Sequence, residues 1–142
     1  MDMNRREALL SKIKAKLPAT SGSRGPTVSL EDFFEGNDDF GSIGCNLLDS
    51  PGPQRFYEVF RQIKGRPDVQ GIFVEINDLM DDGVSWPFAD TVFVLGKIPV
   101  GELQQRLAEL QPDEVGAFPP DSIPTDLPPL QPGMTILGVW WD

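Results

Sequence analysis

The spacing of apolar side chains changes period several times along the chain, and each change predicts an element. In residues 3–17, "MNRREALLSKIKAKL", Leu10, Ile13 and Leu17 fall at helical spacing with Leu9 beside them, which predicts an amphipathic helix. "PATSGSRGP" (18–26) has the composition of a linker. Ser29 followed by Asp32 has the form of a helix N-cap, so "LEDFFEG" is expected as a short helix closed by Gly36. "SIGCNLL" (42–48) alternates, with Ile43, Cys45 and Leu47 on one side and Ser42, Gly44 and Asn46 on the other, and is read as a strand. Ser50 and two prolines then open a helix in which Phe56, Val59, Phe60 and Ile63 form one stripe, ended by Gly65 and Pro67. "VQGIFVEIN" (69–77) is the next strand, with Ile72, Val74 and Ile76 on one face. A turn-rich loop (78–90) and a strand, "TVFVLGKI" (91–98), follow. Pro99 opens a helix marked by Val100, Leu103, Leu107 and Leu110. "FPPDSIPTDLPPLQPG" (118–133) holds six prolines and is excluded from regular structure, with room for a short strand at 115–118 just before it. "MTILGVWW" (134–141) closes the pattern as a strand.

From residue 42 the predicted order is βαββαβ. That order implies an α+β fold of the ferredoxin-like type: an antiparallel sheet with two helices on one face, preceded by the N-terminal amphipathic helix. The division expected is a basic helix and linker over 1–26 and a single α+β domain over 27–142. "RPDVQGIF" and "QPDEVGAF" follow the two helices of the domain and echo each other. The sheet face away from the helices would carry Phe73, Phe93, Leu95 and one of the neighbouring pair Trp140 and Trp141. That is a large apolar patch. The N-terminal helix, a second copy of the chain or another protein is expected to cover it.

Composition narrows the chemistry. Histidine is absent from all 142 residues, which removes the commonest general base and metal ligand together. Ser-His-Asp and Cys-His catalysis and the usual zinc sites are thereby excluded. Residues 1–26 carry six Lys/Arg against two acids and residues 27–142 carry six against twenty, so the body is strongly acidic. Coulomb repulsion disfavours nucleic acid and anionic membrane as partners, and a basic protein surface is favoured. The single cysteine, the lack of an apolar leader and the lack of a membrane-length run point to a reducing, cytoplasmic setting.

Two acidic groups stand out. "EDFFEGNDDFGS" (31–42) holds five acids and three phenylalanines. Glu35, Asn37 and Asp39 alternate as in a calcium loop, but Phe40 takes the place of the required glycine and no closing glutamate follows. The phenylalanines are therefore expected to anchor the segment to the core, with Glu35, Asp38 and Asp39 on a partner-facing surface. Asp78, Asp81 and Asp82 form a second group beyond the strand that ends near Glu75, and match no hydrolase spacing. Trp86, Trp140 and Trp141 are further interface candidates, because tryptophan is enriched in binding hot spots. Ser42, Gly44, Asn46 and Glu75 are candidates for a ligand groove on the open sheet face. No motif implies a catalytic residue, a metal or a cofactor.

The runs "VSLEDFFEGNDDFGSIGCNL" (28–47) and "SWPFADTVFVL" (85–95), with the terminal "VWWD", resemble a group of small uncharacterised bacterial proteins. The resemblance implies a bacterial, cytoplasmic origin and carries no activity. The expectation that follows is an acidic protein-binding or regulatory protein of immunity type, without catalysis, engaging a basic partner or itself through the sheet face. The alternative is a small-molecule sensor, or a carboxylate-based enzyme with Glu75 as base and Tyr57 or Lys97 as polar partner, with its pocket on the open sheet face.

Overall fold

Leu9, Leu10 and Ile13 are buried on one side of helix α1 (Met3–Thr20), which continues through Pro18 into the stretch expected to be linker. A computed structural model describes residues 1–20 and 24–142, so part of that linker, residues 21–23, lies outside the described residues. Leu9 and Ile13 belong to the same apolar core as the rest of the chain. The Arg6 side chain, 2 % exposed, donates from Nε to the Ser85 carbonyl at 2.8 Å. The N-terminal helix is thus built into the body.

Strand β1 (Thr27–Ser29) runs straight into α2 (Leu30–Phe34), whose first turn is capped by Ser29 Oγ accepting from Asp32 N–H, as the sequence predicts. Phe33 and Phe34 are fully buried, whereas Phe40 is 57 % exposed and lies outside the core, its ring against Gly52. Residues 42–48 are not a strand but a run of turns. Gly44 sits at φ +61°, in the left-handed region, and a side chain there would meet the Phe56 ring at 2.9 Å. Cys45, expected on an apolar face, is exposed. The alternation was real, but the segment pairs with neither edge strand of the sheet, β1 or β4.

Helix α3 (Pro53–Lys64) buries the predicted stripe of Phe56, Val59, Phe60 and Ile63, and Gly65 ends it. Each such side chain, fully buried, contributes roughly 1.5–3 kcal/mol. Strands β2 (Val69–Glu75) and β3 (Thr91–Gly96) pair antiparallel. Helix α4 (Val100–Arg106) is extended by a short 3-10 turn (Ala108–Leu110), and β4 (Glu114–Gly116) and β5 (Thr135–Trp140) complete the sheet. The sheet has five strands in the order β1-β2-β3-β5-β4, all antiparallel. The fold is α+β, but the expected ferredoxin-like order is not formed, because residues 42–48 supply no strand while 27–29 and 114–116 do.

Val28, Ile72, Val74, Val92, Val94, Leu137 and Val139 point from one sheet face into the helical core. Phe93 and Leu95 point the other way and are also fully buried. Their cover is none of the three expected; it is the proline-rich connection from β4 to β5. Phe118 lies edge-on to Phe93, with ring centres 5.8 Å apart, and packs over Gly138. Further along, Asp126 Oδ2 accepts from Thr27 N–H at 2.8 Å on the far strand. Gln70 then exchanges two bonds with the connection, donating to the Pro129 carbonyl at 3.0 Å and accepting from Gln131 N–H at 2.9 Å. A proline-rich strap suits this place, since it covers a sheet without competing for the ladder's hydrogen bonds. Among the described residues, no helix is long and apolar enough to cross a membrane.

Candidate functional site

The strap leaves one end of its sheet face open. Across that end the strand register sets Thr27 opposite Glu75, Glu75 opposite Thr91, Thr91 opposite Trp140 and Trp140 opposite Glu114. Directly paired residues of neighbouring strands share a face, so these five side chains form one row. Over the Trp140 end of the row lies a cleft of about 400 Å³, walled by Gly116, Phe118, Pro119 and Ser122 at the start of the strap and by Arg24, Asn77 and Asp90 opposite. That volume lies in the range of small-ligand sites, roughly 300–1,000 Å³.

Its polar groups are held by identifiable bonds. Glu75 is 3 % exposed and accepts from Arg24 Nε at 3.1 Å, Arg24 Nη2 at 2.7 Å and Gly25 N–H at 2.8 Å. A buried carboxylate needs such compensation, and the two-pronged guanidinium contact supplies it. The hydrogen bond to Glu75, reinforced by the charges of Glu75 and Asp90, raises the Arg24 pKa further above its ordinary value. Thr91 Oγ1 donates to Asp90 Oδ1 at 2.8 Å, and Asn77 Oδ1 accepts from Asp90 N–H at 3.2 Å, which fixes Asp90 at the rim. Glu114, on the edge strand β4, is exposed. The half-buried Trp140 lines the cleft from β5, on the strand between those of Thr91 and Glu114.

The groove expected from the sequence is not assembled. Of its four residues only Glu75 adjoins the cleft. Ser42 is buried in the 37–42 turn, where its Oγ accepts from Asn37 Nδ2 at 2.9 Å, and Gly44 and the exposed Asn46 belong to the following turns. Tyr57 is no partner for Glu75: it lies on the helical side, stacked on Phe34 and donating to Glu35 Oε1 at 3.1 Å. Burial first, and then the bond to Glu35, raise its pKa. Lys97 packs beside Gly133 at the opposite end of the strands.

The acidic candidates mostly serve the chain itself. Glu35 also accepts from Arg5 Nη1 at 2.5 Å, and Asp38 pairs with the N-terminal amine at 2.7 Å. Asp39 accepts from Gly41 N–H at 2.9 Å and, across the chain, from Trp86 N–H at 3.0 Å. Asp78 caps Met80 N–H at 2.8 Å. Asp82 accepts from Val84 N–H at 2.9 Å, Ser85 N–H at 2.8 Å and Ser85 Oγ at 2.6 Å. The Ser85 hydroxyl, followed by these two backbone amides, holds the Asp82 carboxyl at about 2. Asp81 is exposed and lies in the same loop. Trp86 and Trp141 are each 1 % exposed and form no surface; Trp141 packs against Phe56 and Phe60 and donates to the Leu110 carbonyl at 2.8 Å. Trp140 is therefore the tryptophan that reaches the cleft.

Arg24, Asn77, Asp90, Thr91, Glu114 and Phe118 were not singled out in the sequence. The alternation of 134–141 and the short strand foreseen near 115 were the available signals, but neither specifies a register. Among the described residues, no three acidic or thiol side chains are grouped so as to hold a metal ion.

The sequence model of a family described as "Uncharacterized protein YfbO family" matches residues 4–139. The chain is 34 % identical over 118 residues to a protein of Escherichia coli (strain K12) named "Uncharacterized protein YfbO", covering 82 % of this chain and 83 % of that relative. No solved structure matches the chain.

Proposed function

The chain belongs to the YfbO family of small bacterial proteins, and on that footing we propose that it is a cytoplasmic small-molecule-binding protein of the sensor type, with its ligand in the Trp140 cleft. The observation that carries this reading is the composition of the cleft. An indole and a phenyl ring share a concavity of about 400 Å³ with Asp90, Glu114 and Arg24, which Glu75 holds from beneath the surface. An apolar wall with a few placed polar groups is the usual make-up of a ligand site. Binding is favoured over catalysis because Glu75, the buried carboxylate, already accepts three hydrogen bonds from its neighbours.

A second reading, an acidic surface for a basic protein partner, draws on the net charge of −10. It has less support, since Glu35, Asp38, Asp39, Asp78 and Asp82 all hold bonds within the chain.

The three tryptophans make the test specific. Trp86 and Trp141 are buried, so their indole N–H resonances act as internal controls for that of Trp140. A panel of amines, carboxylates, sugars and nucleosides is titrated against the full chain by NMR. At least one class is expected to move the Trp140 signal saturably while the other two stay in place. A panel in which no compound does so overturns the reading.

A further inference from the structure

We infer that the ligand of the Trp140 cleft is an organic cation, an ammonium or guanidinium group carried on an apolar body. This rests on the small-molecule reading above and names the ligand's chemistry. Among the described residues, the charged lining of the cleft is one cation, Arg24, and two carboxylates, Asp90 and Glu114, and Arg24 is itself paired with a third carboxylate, that of Glu75. The charge of Arg24 is already offset, because Glu75 takes the Nε–Nη2 edge of its guanidinium at 3.1 and 2.7 Å and Asp90 also acts on it electrostatically. The surplus charge is that of Asp90 and Glu114. They lie to either side of Trp140, since Thr91, the neighbour of Asp90, and Glu114 are its direct partners on the two flanking strands.

The face of an indole is the best aromatic platform for a cation, because its quadrupole is negative over the ring. A cation above Trp140 meets that face and a carboxylate on each side. Phe118 and Pro119 line the cleft beside it and suit a hydrocarbon or aryl body. An anion would meet the same carboxylates with the opposite sign, within the field of a chain whose net charge is −10.

The experiment compares three probes of nearly equal shape on the full chain: 2-phenylethylammonium, 2-phenylethanol and 3-phenylpropionate. Binding is read by calorimetry and by the Trp140 indole resonance. The ammonium is expected to bind about tenfold more tightly than the alcohol, and the propionate most weakly. Added salt should reduce that preference. Glu114→Gln should lower affinity for the ammonium several-fold and leave the alcohol unchanged; Glu114 is exposed and glutamine keeps its shape, so an unchanged urea midpoint is expected of the variant. If the alcohol or the propionate binds as well as the ammonium, the cation assignment falls while the cleft remains a ligand site. If none of the three moves the Trp140 signal, the assignment falls, and the earlier panel decides the site: silence there removes it too, whereas a response to another class keeps it.

Discussion

Gly138 holds the strap to the sheet by having no side chain. It lies on β5 opposite Phe93, in ordinary extended backbone, and a Cβ built there falls 2.7 Å from both Cε2 and Cζ of Phe118. Carbon atoms pack best at about 3.5–4.0 Å, so Gly138→Ala must push the ring away by about 1 Å and loosen its edge-to-face contact with Phe93. Overpacking of this kind costs about 1–3 kcal/mol, partly offset by the ~0.5–1 kcal/mol that alanine gains over glycine in a strand. A net loss of about 1–2 kcal/mol is expected from these terms. Phe118→Ala alone should cost about 2 kcal/mol, for a half-buried ring and its aromatic pair. The two changes made together separate the causes. Without the ring the new methyl meets open space, so Gly138→Ala should become neutral or slightly stabilising in the Phe118→Ala background. The coupling is then about 1.5–3 kcal/mol, as for residues in direct contact. Urea unfolding followed by tryptophan fluorescence measures it, with the slope checked for constancy. Additive losses, within about 0.5 kcal/mol, would show that Phe118 does not rest on Gly138 and that something else covers Phe93.

Two further outcomes follow from the acidic loops. Asp39→Ala should cost about 1–3 kcal/mol in urea unfolding, because it strips the part-buried Trp86 N–H of its acceptor, while Asp38→Ala, whose carboxylate is 64 % exposed, should cost at most about 1 kcal/mol; equal losses would contradict the division into cap and surface pair. Asp82 should titrate in the folded chain at about 2 instead of 3.8, with Ser85→Ala moving the midpoint back up, as read from its carboxyl NMR signal. Because the folded value is the lower one, the stabilisation it lends the 82–85 turn is complete above pH 3.8 and is lost as pH falls toward about 2. A wild-type midpoint near 3.8 would refute the assigned bonds.

What the sequence determined by itself was everything that depends on local period and end signals. Phe56, Val59, Phe60 and Ile63 define α3 because one helical turn decides which of them share a face, and Ser29 caps α2 because its hydroxyl needs only the amide three residues on. The cores of β2, β3 and β5 were legible for the same reason. The tertiary structure alone decided what local period cannot express. The alternation in "SIGCNLL" describes a strand only if the segment pairs with a neighbour, and here those residues turn instead. The proline-rich run, unable to form a ladder, proved to be the cover of a sheet face, a role visible only once Phe118 is seen lying on Gly138. The cleft is the clearest case. Thr91, Trp140 and Glu114 come from three strands remote in sequence, and a slip of one residue in either register would send Trp140 away from its neighbours' face. Register is set by which apolar sets must be buried together, so it belongs to the whole core and to no single stretch of the chain.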